Sequence, residues 1–508
     1  MLSRANSCGL LGISGYMVCV ETDISNGIPA FDIVGLGDVA VKEAKERVRA
    51  AIRNSGFEFP SRRITINLAP ADLKKEGTSY DLPIAAGIIA AMGVISCDAL
   101  LNCVLLGELS LDGSLRPVYG VLPKCIAAKE MGFKTIFTPP ENAQEASVVK
   151  GIDVIAIKNL AELASHFKGD ITLPPVESEM CTIEDYINEP DFADVKGQKH
   201  VKRALEVAAA GGHCVLMVGS PGCGKTMLAR RMPSILPDMT FEEAIEVTKI
   251  HSVSGLLAPG SSLVRKRPFR DPHHTISAIA LVGGGRIPKP GEISLAHLGV
   301  LFLDELPEFG NNTLEVLRQP LENGFVHISR INASITYPCN TMLIAAANPC
   351  KCGFYLDDTR ECTCTPREVR NYLGRLSGPL LDRMDIQVDV PSLKYSELES
   401  ETPGESSKII RERVNKARDI QRRRLSGTGM YCNAQMSSPM VRKYCPLGKE
   451  ESRVLKGAFT SLSLTARSHN RILKVARTIA DIEGTENINV VHISEAIQYR
   501  MLDRDYFR

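Results

Sequence analysis

The chain has 508 residues, 44% of them hydrophobic and 23% charged, a length that accommodates about three domains, each with its own core. A net charge of +1 excludes a global polycation, so any nucleic-acid contact must come from local basic clusters. No run reaches the length of a membrane span, and the start, Met1-Leu2-Ser3-Arg4, lacks a basic segment followed by a sustained apolar stretch, so a cytoplasmic protein without membrane contact is expected, its 15 cysteines mostly reduced thiols.

Residues 1–168 alternate apolar strands at Ile64–Leu68, Val104–Leu106, Lys134–Phe137 and Val154–Ile157 with helical stretches at Val39–Asn54 and Pro83–Met92. This predicts an α/β domain without a phosphate loop. Residues 169–190 lose the pattern, carry Leu173-Pro174-Pro175-Val176 and read as a linker, and a new domain begins near Asp191.

The apolar run His213–Val218 leads into Gly219-Ser220-Pro221-Gly222-Cys223-Gly224-Lys225-Thr226 and then a predicted helix. Strand, glycine-rich loop and helix are what a nucleoside triphosphate site needs. The glycines let backbone N–H groups point at the β-phosphate, Lys225 neutralises the β and γ oxygens, and the Thr226 hydroxyl ligates Mg²⁺. Thr240-Phe241-Glu242-Glu243 opens a helix to about Ile250. The stretch from Ser252 to His297 is then rich in glycine, proline and histidine, too large an insertion to be passive filler. It carries Gly283-Gly284-Gly285-Arg286 and Lys289.

A buried-type strand, Gly299–Leu303, ends in Asp304 and Glu305: the first acid orders the Mg²⁺ shell and the second polarises the attacking water. Thr341–Ala347 ends at Asn348, which either positions that water or merely terminates a strand before Pro349. Cys350, Cys352, Cys362 and Cys364 form two Cys-x-Cys pairs. They offer four thiolates to a structural Zn²⁺, the alternatives being a disulfide or free thiols. Beyond residue 392 the pattern is helical: Ser396–Glu399 offers a cap, and Lys408–Leu425, Glu450–Leu462, Asn470–Glu483 and His492–Arg500 are amphipathic.

Asp194–Gln198, Gly219–Thr226, Arg267–His274, Lys289–His297, Gly299–Phe309 and Leu376–Arg383, in this order along the chain, resemble the YifB/ComM family of magnesium-chelatase-like AAA+ ATPases. The resemblance runs end to end. It implies an α/β fold with a P-loop AAA+ core over 191–391, bearing a helix-2 insertion and a pre-sensor hairpin. A C-terminal helical lid over 392–508 follows the core, and a Lon-protease-like α/β domain over 1–168 precedes it.

The same resemblance implies ATP and Mg²⁺ as cofactors, DNA as partner and a homo-oligomeric ring, a hexamer. Arg383 lies in a segment similar to the arginine finger of MCM helicases and is expected to reach a neighbour's nucleotide, or else to pair with Asp382 or Asp385 within its own chain. Arg467, with Arg471 as substitute, resembles the lid's sensor arginine; both alternatively serve as surface charges. Asn323–Tyr337 reads as strand, turn and strand, and resembles a pore hairpin with Arg330 near its tip. Arg286 and Lys289 form a second basic turn suited to phosphates, unless both clusters are simply solvated.

Lys75–Ser79 resembles the segment that holds the nucleophilic serine of Lon proteases. The corresponding base position falls on Leu122, with Lys124 two residues displaced, so no peptidase activity is expected. The reading is therefore a ring ATPase acting on DNA, in its most specific form a ComM-like branch-migration helicase. The alternative is a magnesium-chelatase-type motor subunit driving metal insertion through partner proteins.

Overall fold

Ser3 and Ser7 sit on the inner face of the first strand, Leu2–Leu11, and Val18, Val20 and Ile24 on that of the second, Ser14–Ser25; the two pair antiparallel around Gly12, a turn position with φ +63. Ser3 Oγ donates to Gly87 O at 2.6 Å and Ser7 Oγ to Leu105 O at 2.9 Å, so both serines are buried without an unsatisfied hydroxyl. The computed structural model describes the chain apart from residues 179–189, 286–287, 331–332, 358–359, 393–403, 462–463, 503–505 and 507–508. The cap expected at Ser396–Glu399 and most of the expected linker lie outside the described residues.

The chain forms two units, Met1–Thr182 with Phe241–Arg265, and Ile183–Thr240 with Lys266–Arg508. In the first, a seven-stranded mixed sheet runs in the order Ala30–Val34, Arg63–Ala69, Ser14–Ser25, Leu2–Leu11, Cys103–Leu105, Thr135–Thr138, Asp153–Ala156. Neighbouring strand residues alternate between two apolar clusters, Leu105 with Phe137 and Ile155 in one, Val104 with Ile136 and Val154 in the other, which is the period-two signature of a sheet with a core on each face. Helices Val39–Asn54 and Asp81–Ala91 supply the first core, Val121–Glu130 and Pro140–Ser147 the second.

The sequence division at 191 places Phe241–Arg265 in the later half, whereas the folded chain returns this segment to the first unit. Helix Phe241–Ser254 does so through buried polar pairings: the Ser252 hydroxyl donates to Glu145, and Gly120 N donates to Ser252 O at 3.2 Å. Ile245 and Leu263 add apolar contact to the second core.

In the second unit five strands pair in parallel in the order Phe269–Arg270, Val300–Leu303, Met342–Ala347, Val215–Val218, Ile386–Asp389. The three central strands are buried along their whole length, as a parallel sheet covered on both faces requires. The helices Ser407–Leu425, Lys449–Ser461, Ala466–Ile482 and Val490–Gln498 pack their apolar faces into the same core as this sheet. Asn489 and His492 cap the last of them reciprocally, and Thr465 caps the third.

Candidate nucleotide site and its surroundings

The phosphate loop leaves the carboxyl end of the central strand Val215–Val218, where parallel α/β sheets hold ligands. Gly222 and Gly224 take φ +80 and +96, a left-handed path closed to other residues without strain, and the helix Lys225–Arg231 starts directly after it. Lys225 is buried, and its Nζ donates to Gly219 O at 2.6 Å, Ser220 O at 2.9 Å and Asn348 Oδ1 at 3.2 Å. Its other contact is the Cys223 sulfur at 3.7 Å. Among the described residues every hydrogen-bond partner of this buried ammonium is uncharged, an environment that suits an anionic ligand.

Thr226 Oγ1 donates to Asp304 Oδ2 at 2.6 Å, and Asp304 Oδ1 accepts from Glu305 N at 2.9 Å. Hydroxyl and carboxylate therefore converge at the helix N-terminus, a donor set of hard oxygens that fits Mg²⁺. Glu305 turns out of the strand with φ +51 and is half exposed, its Oε2 3.4 Å from His274 Nδ1. His274 stacks on His273 at 4.1 Å between ring centroids; the sequence showed these histidines inside a motif without revealing that one touches the expected base. Gln198, at φ +50, braces the loop from behind by donating to Cys223 O at 2.8 Å and Pro391 O at 3.1 Å.

Asn348 thus joins Lys225, Thr226, Asp304 and Glu305 in one site. Arg383 stands apart from it within the chain: its Nη2 is paired with Glu322, a carboxyl that this arginine holds below its usual range. The intrachain partner expected from sequence was Asp382 or Asp385. Asp385 instead accepts from His213 Nδ1 at 3.1 Å and lies 3.6 Å from Arg471. Arg471 is consequently mostly covered within an ion network, whereas Arg467, at the start of the same helix, is exposed. Nothing local in the sequence marks Glu322 as the finger's partner.

Strands Phe325–Arg330 and Ala333–Pro338 form the expected hairpin, with Arg330 paired to Ala333 at its end. The Arg330 side chain and the tip lie outside the described residues, as does Arg286. In the second hairpin Gly284 pairs with Lys289, which is exposed, and Tyr337 Oη donates to Pro288 O at 2.8 Å, tying the two hairpins together.

The sulfurs of Cys350, Cys352, Cys362 and Cys364 all lie within 4.8 Å of one another. Sulfur separations of 3.3, 3.7 and 3.6 Å match the spacing of about 3.8 Å expected around tetrahedral zinc. Desolvation opposes ionisation of Cys352, but hydrogen bonds from the N–H groups of Phe354 and Thr363 and from neighbouring thiols bring it down to about 5. A thiolate is thus ready for a metal.

In the first unit, Ser79 and Lys124 are both buried, and among the described residues no hydrogen bond joins the Ser79 hydroxyl to a lysine. Leu122 occupies the expected base position with its N–H on Glu145 Oε1 at 2.7 Å, and Lys124 lies in the field of Cys8 and Glu145.

Three family models match the chain: "Magnesium chelatase, subunit ChlI" over residues 191–398, "Subunit ChlI of Mg-chelatase" over 20–142 and "Magnesium chelatase, subunit ChlI C-terminal" over 404–500. The uncharacterized protein YifB of Escherichia coli is 44% identical over 508 residues, covering 99% of this chain and 98% of its own. Competence protein ComM of Haemophilus influenzae is 44% identical over 500 residues, covering 97% and 96%. Lon protease 2 of Bacillus subtilis shares 33% identity over 144 residues, 28% of this chain and 25% of the protease.

Proposed function

Since the chain belongs to the YifB/ComM family of magnesium-chelatase-like AAA+ ATPases, we propose that it hydrolyses ATP in a homo-oligomeric, hexameric ring and uses the cycle to migrate branched DNA in the cytoplasm. The observation that carries the nucleotide part is the buried Lys225 with uncharged partners alone, beside the Thr226 and Asp304 oxygens. In this reading Gly219–Thr226 bind the triphosphate, Thr226 and Asp304 hold Mg²⁺, Glu305 is the base that polarises the attacking water, Asn348 helps position that water beside the γ-phosphate, and Arg383 and Arg467 serve as finger and sensor. Residues 1–168, 191–391 and 392–508 are the Lon-like domain, core and lid. The four cysteines hold a structural zinc ion that braces the loop after Asn348.

The DNA part is supported by two hairpins joined by the Tyr337–Pro288 hydrogen bond, one carrying Lys289 and the other ending a strand at Arg330. Arg286, three residues before Lys289 in the sequence, completes the set. The N-terminal domain acts in assembly or DNA contact and not as a peptidase, because the base position is Leu122. Peptide hydrolysis that disappears in Ser79→Ala would refute that part.

ATP hydrolysis by purified protein, with and without single-stranded, duplex and four-way-junction DNA, tests the whole. Stimulation by branched DNA that is lost in Glu305→Gln is the expected result. Hydrolysis sensitive to that mutation but indifferent to every DNA would favour a chelatase-type motor working through partner proteins.

A further inference from the structure

The segment between the two Cys-x-Cys pairs leans on the phosphate loop. Gly353 lies so close to Pro221 that a Cβ on it would come within 2.5 Å of the proline Cδ. Four residues on, the Asp357 carboxylate accepts a hydrogen bond from the Ser220 hydroxyl, so two consecutive phosphate-loop residues are held from the cysteine segment. Asp357 also accepts from Arg360 N at 3.1 Å through its other oxygen. On the upstream side, Cys350 follows Asn348 by two residues, and Asn348 Oδ1 accepts from Lys225. The cysteine cluster is therefore anchored to the nucleotide site at both ends.

Within this segment Asp357 N donates to Phe354 O at 3.2 Å and the Arg360 guanidinium lies over the Phe354 ring. Leu356, next to Asp357, sits at φ +62 with its side chain 59% exposed, a left-handed conformation that neither glycine freedom nor packing explains. What closes the segment is the four-sulfur cluster, with Gly353 N donating to Cys350 O at 3.0 Å and Cys352 N to Cys364 Sγ at 3.4 Å. The four sulfurs stand at the spacing of ligands around one tetrahedral metal ion, so a bound metal would lock the geometry that aims Asp357 at Ser220.

We propose that the zinc held by Cys350, Cys352, Cys362 and Cys364 controls nucleotide affinity, by fixing Gly353 and Asp357 as a wall against Pro221 and Ser220 of the phosphate loop. The inference rests on the zinc reading above and adds a regulatory consequence: loss of zinc frees the wall, and the loop loses the hydrogen bond that orders Ser220.

The experiment uses the full-length protein. Zinc per chain is measured by elemental analysis, and the dissociation constant for a fluorescent ATP analogue with Mg²⁺ is measured as purified, after chelator treatment, and after zinc is returned. Asp357→Ala, which removes no metal ligand, is measured alongside. The expected result is about one zinc per chain. Stripping should raise the dissociation constant about tenfold, reversed by zinc, and Asp357→Ala should raise it several-fold with zinc retained. Absence of zinc from protein purified without chelator overturns both the zinc reading and the wall. Zinc present, with affinity unchanged in Asp357→Ala, overturns the wall alone; this arm also decides the matter if stripping unfolds the second unit.

Discussion

The guanidinium of Arg383 is held by the carboxylate of Glu322, while Asp385, two residues later, belongs to His213 and Arg471. An arginine that must reach a neighbouring subunit's nucleotide needs a partner it can leave. Glu322 is 54% exposed, and ion pairs that wet contribute at most about 1 kcal/mol. Arg383→Ala should lower kcat about 10³-fold with nucleotide affinity retained. Glu322→Gln should keep kcat within about fivefold of the parent, because only a weak competitor is lost. Steady-state hydrolysis with parallel nucleotide titration separates the two, and an Arg383→Ala protein with normal kcat would place the finger elsewhere.

Arg471 and Arg467 share one helix but not one environment. Arg471 touches the half-buried Asp385, whose carboxyl desolvation pushes up but which hydrogen bonding to His213, reinforced by the charges of His213 and Arg471, holds below the usual range. Removing one member of such a network leaves a buried charge short of a partner, so Arg471→Ala should cost about 3 kcal/mol in urea unfolding. Arg467→Ala should leave the unfolding midpoint unmoved and lower hydrolysis instead. Equal stability of the two variants would contradict this assignment.

Where chemistry is local, the sequence displays it. The phosphate loop, the Asp304-Glu305 strand end and Asn348 were readable because each is an apolar strand followed immediately by its functional side chain. Helix Val39–Asn54 likewise announced itself by amphipathic spacing and folds over those same residues. The first strand of the opening pair was missed because Ser3 and Ser7, not apolar residues, sit on its inward face and satisfy themselves on Gly87 and Leu105, whereas its partner carries a readable apolar alternation at Val18, Val20 and Ile24. Glu322 for Arg383, Asp357 for Ser220 and Glu145 for Ser252 were equally invisible, since each pairs residues more than 60 positions apart that no periodicity connects.

Lys289 and Arg330 are argued to meet phosphates, a contact with a measurable salt signature. Each phosphate neutralised releases counterions, so replacing either residue by Ala should flatten the slope of log affinity against log salt by about one. Weakening should be similar across DNA sequences, since the contacts carry no base readout. Anisotropy titrations of a labelled four-way junction between low and moderate salt give the slope directly. A variant that binds more weakly with an unchanged slope would mean that the hairpin was distorted, not discharged.

Lys124 invites a protease reading because burial lowers its ammonium from 10.5 to about 8, where a lysine becomes a usable base. Geometry points the other way: the ionisable groups around it are Cys8 and Glu145, and among the described residues no hydrogen bond joins it to Ser79. The depressed value is then simply the cost of burying a charge. Below pH 8 the folded lysine is protonated and carries that cost in full. Between about 8 and 10.5 the unfolded chain binds more protons than the folded one, so parent stability rises with pH and the cost fades. Lys124→Met, similar in volume and uncharged, should therefore stabilise the first unit by about 3 kcal/mol at pH 7. The gain should shrink toward zero by pH 10.5. Urea unfolding of parent and variant at both pH values measures this. Destabilisation at pH 7 would show instead that Glu145 depends on the Lys124 charge, and that the lysine is kept as an ion-pair partner in the core.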